Sequence, residues 1–123
     1  MAIVRVDYSK KKPVGFDSAI ASAINSTMQS VLGVPAQENY VVCHGHETTS
    51  ILHAPGNCPP ERLDEIVFIQ ITLNQGRSAE LKSEFFRLLT QALASTGLVC
   101  SENVFINLVE VARENWSFGW PSY

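Results

Sequence analysis

The sequence predicts an α+β fold made of a duplicated βαβ unit, with a four-stranded mixed sheet and two helices on one of its faces. Strand and helix patterns follow in the order strand, helix, strand twice along the 123 residues. Both helix patterns end at a glycine, and a Glu-Asn pair starts five residues after each glycine. With 46% hydrophobic residues and a formal net charge of −3, residues 1–123 are expected to form one domain with its own core.

The first unit covers about residues 2–46. Ala2–Tyr8 has the character of a short strand, and a polar loop follows it. A helix is predicted to open near Asp17, a residue type favoured at the N-cap, and to stop at Gly33. Its apolar positions recur at helical spacing and form one stripe: Ile20, Ile24, Met28, Val31 and Leu32. Asn39–His46 is the second predicted strand.

Residues 47–65 form a connecting excursion that is rich in glycine and proline and is therefore predicted to consist mainly of turns. Within it, Ser50–His53 is a candidate for a short additional strand. A C-terminal tail rich in aromatic residues covers positions 112–123.

The second unit covers residues 66–111. Ile66–Leu73 is apolar at nearly every position, which is typical of a strand covered on both faces. Ser78 is predicted to cap a second helix that stops at Gly97, and Asn103–Val111 is the last predicted strand. The helix stripe consists of Leu81, Phe85, Leu88, Leu89, Ala92 and Leu93.

The two units share a register, which supports an internal duplication. Three residues recur 64 positions later: Gly33, Glu38 and Asn39 as Gly97, Glu102 and Asn103. Because βαβ crossovers are right-handed, two such units in one sheet can place both helices on the same face. The other face would then expose alternate apolar side chains of 66–73 and 104–111, and such a patch indicates an oligomer interface.

The composition also excludes several classes of protein. The chain is acidic overall, and its only basic run, Lys10 to Lys12, is too short for a nucleic-acid binder. No apolar stretch reaches the length of a membrane span, and the first twelve residues lack the apolar core of a signal peptide. The cysteines, Cys43, Cys58 and Cys100, form no close pair, which favours a reducing, cytoplasmic location.

His44 and His46 alternate onto the same side of a strand and could provide two ligands of a metal site. A third ligand is missing from the pattern, since His53 and Cys58 lie in a loop of unknown position. We therefore expect no metal here and interpret the histidines as ordinary polar strand residues.

The turn 74–77 places Arg77 between the end of a strand and the start of a helix, and both features attract anions. The alternative is a surface arginine beside a capped helix. The tail contains Trp116, Phe118 and Trp120, which either fill the core or line a site, and their spacing does not decide between these roles.

The segments Gly76–Lys82 and Glu114–Gly119, with the duplicated βαβ order, resemble the tautomerase superfamily. The resemblance extends from Ala2 to about Gly119 and is closest to the malonate semialdehyde decarboxylase and cis-3-chloroacrylic acid dehalogenase branches. It implies a homotrimer with sheets around a central barrel-like core, and an isomerase that needs neither a metal nor another cofactor.

The family uses an amino-terminal proline, uncovered by removal of the initiator Met, as general acid or base, and here Ala2 stands in that position. The resemblance assigns Arg77 to the substrate carboxylate and Glu38 to the catalytic acid. Because Glu102 repeats Glu38, the alternative is that both belong to the turn before a strand. The resemblance also assigns Trp116 and Phe118 to the wall of the pocket. It assigns Asn74 and Gln75 to substrate binding, at the place where a further arginine is usual.

A primary amine at Ala2 and a single guanidinium imply weak or altered keto–enol tautomerase activity, or a related lyase or hydratase step, on a small monocarboxylate or keto acid. The alternative is a non-catalytic trimer that keeps the fold and binds a ligand or a partner.

Overall fold

The computed structural model describes residues 1–10, 12–53 and 63–118. The strands are β1 (Ala2–Ser9), β2 (Asn39–His46), β3 (Val67–Asn74) and β4 (Val104–Val111). The helices are α1 (Phe16–Thr27), which continues into a π-helical turn at Met28–Leu32, and α2 (Ala79–Ser95). The described residues also include short 3₁₀ helices at Ala36–Glu38, Thr48–Ser50, Ser101–Asn103 and Arg113–Asn115.

The four strands form one mixed sheet in the order β2-β1-β3-β4. β1 and β2 are parallel, β3 and β4 are parallel, and the central pair β1 and β3 is antiparallel. Each half therefore has the predicted strand, helix, strand arrangement, and the two halves join through the central pair. The two helices pack on one face of this sheet, which confirms the predicted fold class.

The core lies between this face and the helices. Val4 and Val6 of β1 and Ile69 of β3 belong to the same buried cluster as Ile24 of α1 and Phe85 of α2. Side chains alternate along a strand, so the residues between them point to the opposite face. This second face, called the open face below, carries exposed apolar side chains at Ile3, Tyr40, Val42, Phe68 and Phe105. The predicted uncovered apolar face is confirmed for the described chain.

The ends of the helices match the sequence only in part. Ser78 Oγ accepts a hydrogen bond from the backbone N–H of Leu81 at 3.1 Å, so the predicted cap of α2 is confirmed. The predicted cap at Asp17 is wrong. Gly15 is the N-cap of α1 and has a φ of 87°, a conformation that glycine adopts most easily. Asp17 lies in the first turn instead, where its carboxylate accepts a hydrogen bond from the Tyr8 hydroxyl.

The additional strand expected at Ser50–His53 is also wrong. Thr48–Ser50 forms a 3₁₀ turn, in which the backbone N–H of Ser50 donates to the carbonyl of Glu47 at 2.9 Å. This local bond uses an amide that a strand would donate to a neighbour. Lys11, residues 54–62 with Cys58, and residues 119–123 with Trp120 lie outside the described residues. Within the described ranges, neither helix is both long and apolar enough to cross a membrane.

Candidate functional site

A pocket of about 370 Å³ lies at the amino-terminal end of β1. Its lining residues are Met1, Glu38, Asn74, Arg113, Trp116 and Phe118.

Strand pairing explains why residues so distant in sequence meet there. Ala2 pairs with Asn39 on one side and with Leu73 on the other, which brings Met1 close to the residues that flank these partners, Glu38 and Asn74. The last pair of the parallel β3–β4 ladder joins Asn74 to Val111. The chain that follows β4 therefore begins at the same end of the sheet.

The aromatic side chains of this following segment form one side of the pocket. The indole N–H of Trp116 donates to Oδ1 of Asn74 at 2.5 Å. The Trp116 ring stacks on Phe118 with 5.7 Å between ring centroids and 26° between planes. The hydrogen bond and the stacking together fix the orientation of the indole.

Charged groups also line the pocket. The α-amino nitrogen of Met1 lies 3.5 Å from Oε2 of Glu38. Glu38 ends a 3₁₀ turn directly before β2, and Glu102 lies in the equivalent turn before β4. Ala2 follows Met1 as the first residue of β1, and its side chain is fully buried.

Arg113 is the guanidinium that lines the pocket, and the sequence analysis missed it. The residue belongs to the 3₁₀ turn Arg113–Asn115, directly after β4. A usable signal was present, because Arg113 stands immediately before the segment Glu114–Gly119 that carried the resemblance. A cation beside an aromatic segment is a candidate anion ligand.

Arg77, which the resemblance assigned to the carboxylate, has a different environment in the described chain. Its Nη1 donates to the carbonyl of Asn74 at 3.1 Å, and its Nη2 donates to the carbonyl of Leu32 at 3.0 Å. The side chain thus ties the end of β3 to the last residue of the π-helical turn. Among the described residues, neither Arg77 nor Gln75 contributes to the lining of this pocket.

A second group of polar side chains lies at the other end of β1. Nε2 of His46 is 2.7 Å from Oδ1 of Asp7, and the rings of His44 and His46 have centroids 4.2 Å apart. Asp7, on the neighbouring strand, adds a third potential ligand atom, and the three atoms lie within 4.8 Å of one another. The sequence pattern could not show this, since Asp7 is on a different strand and 37 residues before His44.

Comparison with known proteins supports one family. The model of the family described as "Tautomerase enzyme" matches residues 38–119, more than half of the chain. The chain is 31% identical over 100 residues to the probable tautomerase YusQ of Bacillus subtilis (strain 168), a match that covers 81% of this chain and 79% of that protein.

Two solved structures extend the comparison. The structure of FG41 malonate semialdehyde decarboxylase inhibited by 3-bromopropiolate has a TM-score of 0.84 and 29% identity, with 98% of this chain and 91% of that chain covered. A fused 4-OT wild-type asymmetric trimer has a TM-score of 0.80 at 14% identity, covers 95% and 92% of the two chains, and shares the fold. The matches to the family model and to YusQ, together with the βαβ architecture, establish that the chain belongs to the tautomerase family.

Proposed function

We propose that the pocket binds a small carboxylate or enolisable 2-keto acid and catalyses weak or altered keto–enol tautomerisation, or a related lyase or hydratase step. The observation that carries the proposal is that the amino-terminal residue, a carboxylate and a guanidinium line one space of about 370 Å³. The likeness to a malonate semialdehyde decarboxylase supports a small carboxylate as the ligand.

Arg113 is the proposed carboxylate ligand, because a guanidinium can donate two parallel hydrogen bonds to a carboxylate. The stacked rings of Trp116 and Phe118 would exclude water from the bound ligand and so strengthen these charged hydrogen bonds. The assignment of Arg77 to the same carboxylate stays a prediction. In the described chain its two terminal nitrogens donate to backbone carbonyls, which gives it a supporting role in this proposal.

Removal of Met1 would place the free amino group on Ala2, at the edge of the pocket. The fraction of a primary α-amino group that has lost its proton is a usable base near neutral pH. The neutral amine would remove a proton from the carbon next to the ligand carbonyl, and the proton would then pass to the carbonyl oxygen to give the enol. Glu38 would carry this proton from the amine to the carbonyl oxygen.

The second candidate function is non-catalytic binding of a ligand or partner in the same fold. The observation that favours it is the alanine at position 2, where the resemblance places the catalytic proline. With Met1 retained, the Ala2 nitrogen is an amide and cannot act as a base.

We further propose that the protein is a cytoplasmic homotrimer. The exposed apolar side chains of the open face favour coverage by other subunits. The shared fold with a fused 4-OT trimer supports three as their number.

The decisive experiment combines the intact mass of the purified native chain with an assay of enolisable 2-keto acids, followed by the absorbance of the enol. The parent protein is compared with Ala2→Pro and Arg113→Ala, and Arg87→Ala serves as the control, because Arg87 is exposed on α2 and pairs with Glu84. The catalytic proposal expects loss of Met1, measurable activity in the parent, and at least a tenfold loss in Arg113→Ala only.

An inactive parent that gains activity as Ala2→Pro would support the non-catalytic candidate with an intact pocket. Equal activity of Arg113→Ala and the parent would contradict the proposed site.

A further inference from the structure

We propose that Asp7, His44 and His46 form a binding site for a divalent transition metal at the carboxyl-terminal ends of β1 and β2. The site is separate from the pocket described above and does not depend on the activity proposed for that pocket. On the open face it lies beyond Tyr40 and Val42 along β2.

The register of the sheet brings the three side chains together. Asp7 and His44 are direct partners in the parallel β1–β2 ladder, and His46 is two residues further along β2. Residues two apart on a strand share a face, and neighbouring Val6 and Tyr8 point into the core, so all three side chains lie on the open face.

The three potential ligand atoms are close enough for one ion to reach them all. One carboxylate oxygen and one nitrogen from each imidazole lie within 4.8 Å of one another. Zinc bonds to nitrogen and oxygen are about 2.0–2.2 Å long, so two ligand atoms on one ion can be no more than about 4.4 Å apart. A small rotation of an exposed side chain suffices to close this difference, and His44 is exposed.

The chemistry of the three groups selects the class of metal. Two imidazoles and one carboxylate suit zinc and ferrous iron, whereas calcium and magnesium prefer oxygen ligands alone. Three protein ligands also leave at least one coordination position for water or another molecule. His46 Nε2 and Asp7 Oδ1 are 2.7 Å apart, so a bound ion would take the place of the proton that these two atoms share.

The distance along β1 separates this site from the pocket. Asp7 is five residues from Ala2, which corresponds to roughly 16–17 Å at the rise of a β-strand. Loss of metal binding would therefore leave the pocket untouched, and an inactive pocket would leave metal binding untouched.

The test is isothermal titration of Zn²⁺ into the tag-free, full-length protein after treatment with a chelator. A parallel titration with Co²⁺ is followed by visible absorption. The expected result is one ion per chain, with affinity lowered at least tenfold in each of His44→Ala, His46→Gln and Asp7→Asn. His53→Ala is the matched control, because this exposed histidine lies outside the cluster, and its affinity should equal that of the parent.

Thermal unfolding provides a second measurement that shows whether each variant is folded. Zn²⁺ should raise the Tm of the parent and of His53→Ala, because a ligand that binds only the folded state stabilises it, and should raise the Tm of Asp7→Asn less at the same metal concentration. Absence of Zn²⁺ binding by the parent at millimolar metal would overturn the proposal. Unchanged affinity in His44→Ala, or a thiolate charge-transfer band with Co²⁺, would also overturn it, since the ligands would then lie elsewhere.

Discussion

The indole N–H of Trp116 donates a hydrogen bond to Oδ1 of Asn74, the last residue of β3. This contact joins the segment after β4 to the middle of the sheet across 42 residues of sequence. It also sets the angle at which the indole lines the pocket, so its loss should affect both stability and ligand binding.

Trp116→Phe removes the donor and keeps an aromatic ring of similar stacking ability. We expect it to lower the free energy of unfolding by about 0.5–1.5 kcal/mol, because the amide oxygen of Asn74 loses its partner. The measurement is urea unfolding of Trp116→Phe, Asn74→Ala and the double variant. If the two single effects simply add in the double variant, the hydrogen bond does not contribute to stability.

Arg77→Ala should destabilise the protein by about 1–3 kcal/mol, because the carbonyls of Leu32 and Asn74 each lose a charged donor. The control is Arg87→Ala, whose solvent-exposed pair with Glu84 is expected to contribute little to stability. Urea midpoints of both variants check the difference. The affinity for the carboxylate ligand is measured in the same variants. If folded Arg77→Ala loses as much affinity as Arg113→Ala does, Arg77 also binds the carboxylate.

Phe105→Asp should convert the proposed trimer into a monomer. Phe105 stacks on Phe68 on the open face with ring centroids 5.6 Å apart, and a charge placed there could not be covered by another subunit without a large desolvation cost. Size exclusion with light scattering should show a 13.6 kDa species for this variant only. Leu52→Asp is the control, because Leu52 is exposed but lies outside the sheet. A parent protein that is itself a monomer would contradict the assembly.

Tyr8→Phe should reduce the slope with which the free energy of unfolding falls at alkaline pH. Burial and the hydrogen bond to the carboxylate of Asp17 raise the pKa of Tyr8 well above its ordinary value near 10. Above about pH 10 the unfolded chain loses this proton while the folded chain keeps it, so stability falls as pH rises. Chemical unfolding between pH 8 and 11 measures the slope, and equal slopes in the two proteins would exclude Tyr8 as its source.

Cys43 should react with iodoacetamide more slowly than Cys100. Burial raises the pKa of the Cys43 thiol, with a smaller contribution from Asp17, and this lowers the fraction of reactive thiolate. Cys100 is exposed. Peptide mass spectrometry after timed alkylation at pH 8 measures both rates in the same sample, and a faster Cys43 would mean that its surroundings open readily in solution.

The sequence was sufficient for the elements whose signals are local. The stop at Gly33 is confirmed by its φ of 70°, and Ser78 caps α2 as its side chain predicts. The N-cap predicted at Asp17 was wrong because aspartate is favoured at that position on local grounds alone. In the structure its carboxylate accepts a hydrogen bond from the Tyr8 hydroxyl instead. That contact depends on tertiary structure and leaves no local pattern.

The difference between local patterns and tertiary contacts also explains which site residues the sequence predicted. Glu38, Trp116 and Phe118 were named from motifs and do line one pocket, whereas the position of Arg113 depends on how the chain turns after β4. The proposed metal site shows this limit most clearly. The spacing of His44 and His46 predicts their common face, but only the pairing of β1 with β2 shows that Asp7 lies beside them.

The antiparallel pairing of β1 with β3 has a consequence for how the two sites could have arisen. It relates the halves of the chain by an approximate twofold axis, so the amino end of β1 beside Leu73 is equivalent to the amino end of β3 beside Tyr8. The first position holds the pocket, and the second lies next to the Asp7, His44 and His46 cluster. A duplicated ancestor would have had the same backbone at both ends, and each copy would have been free to acquire a different chemistry.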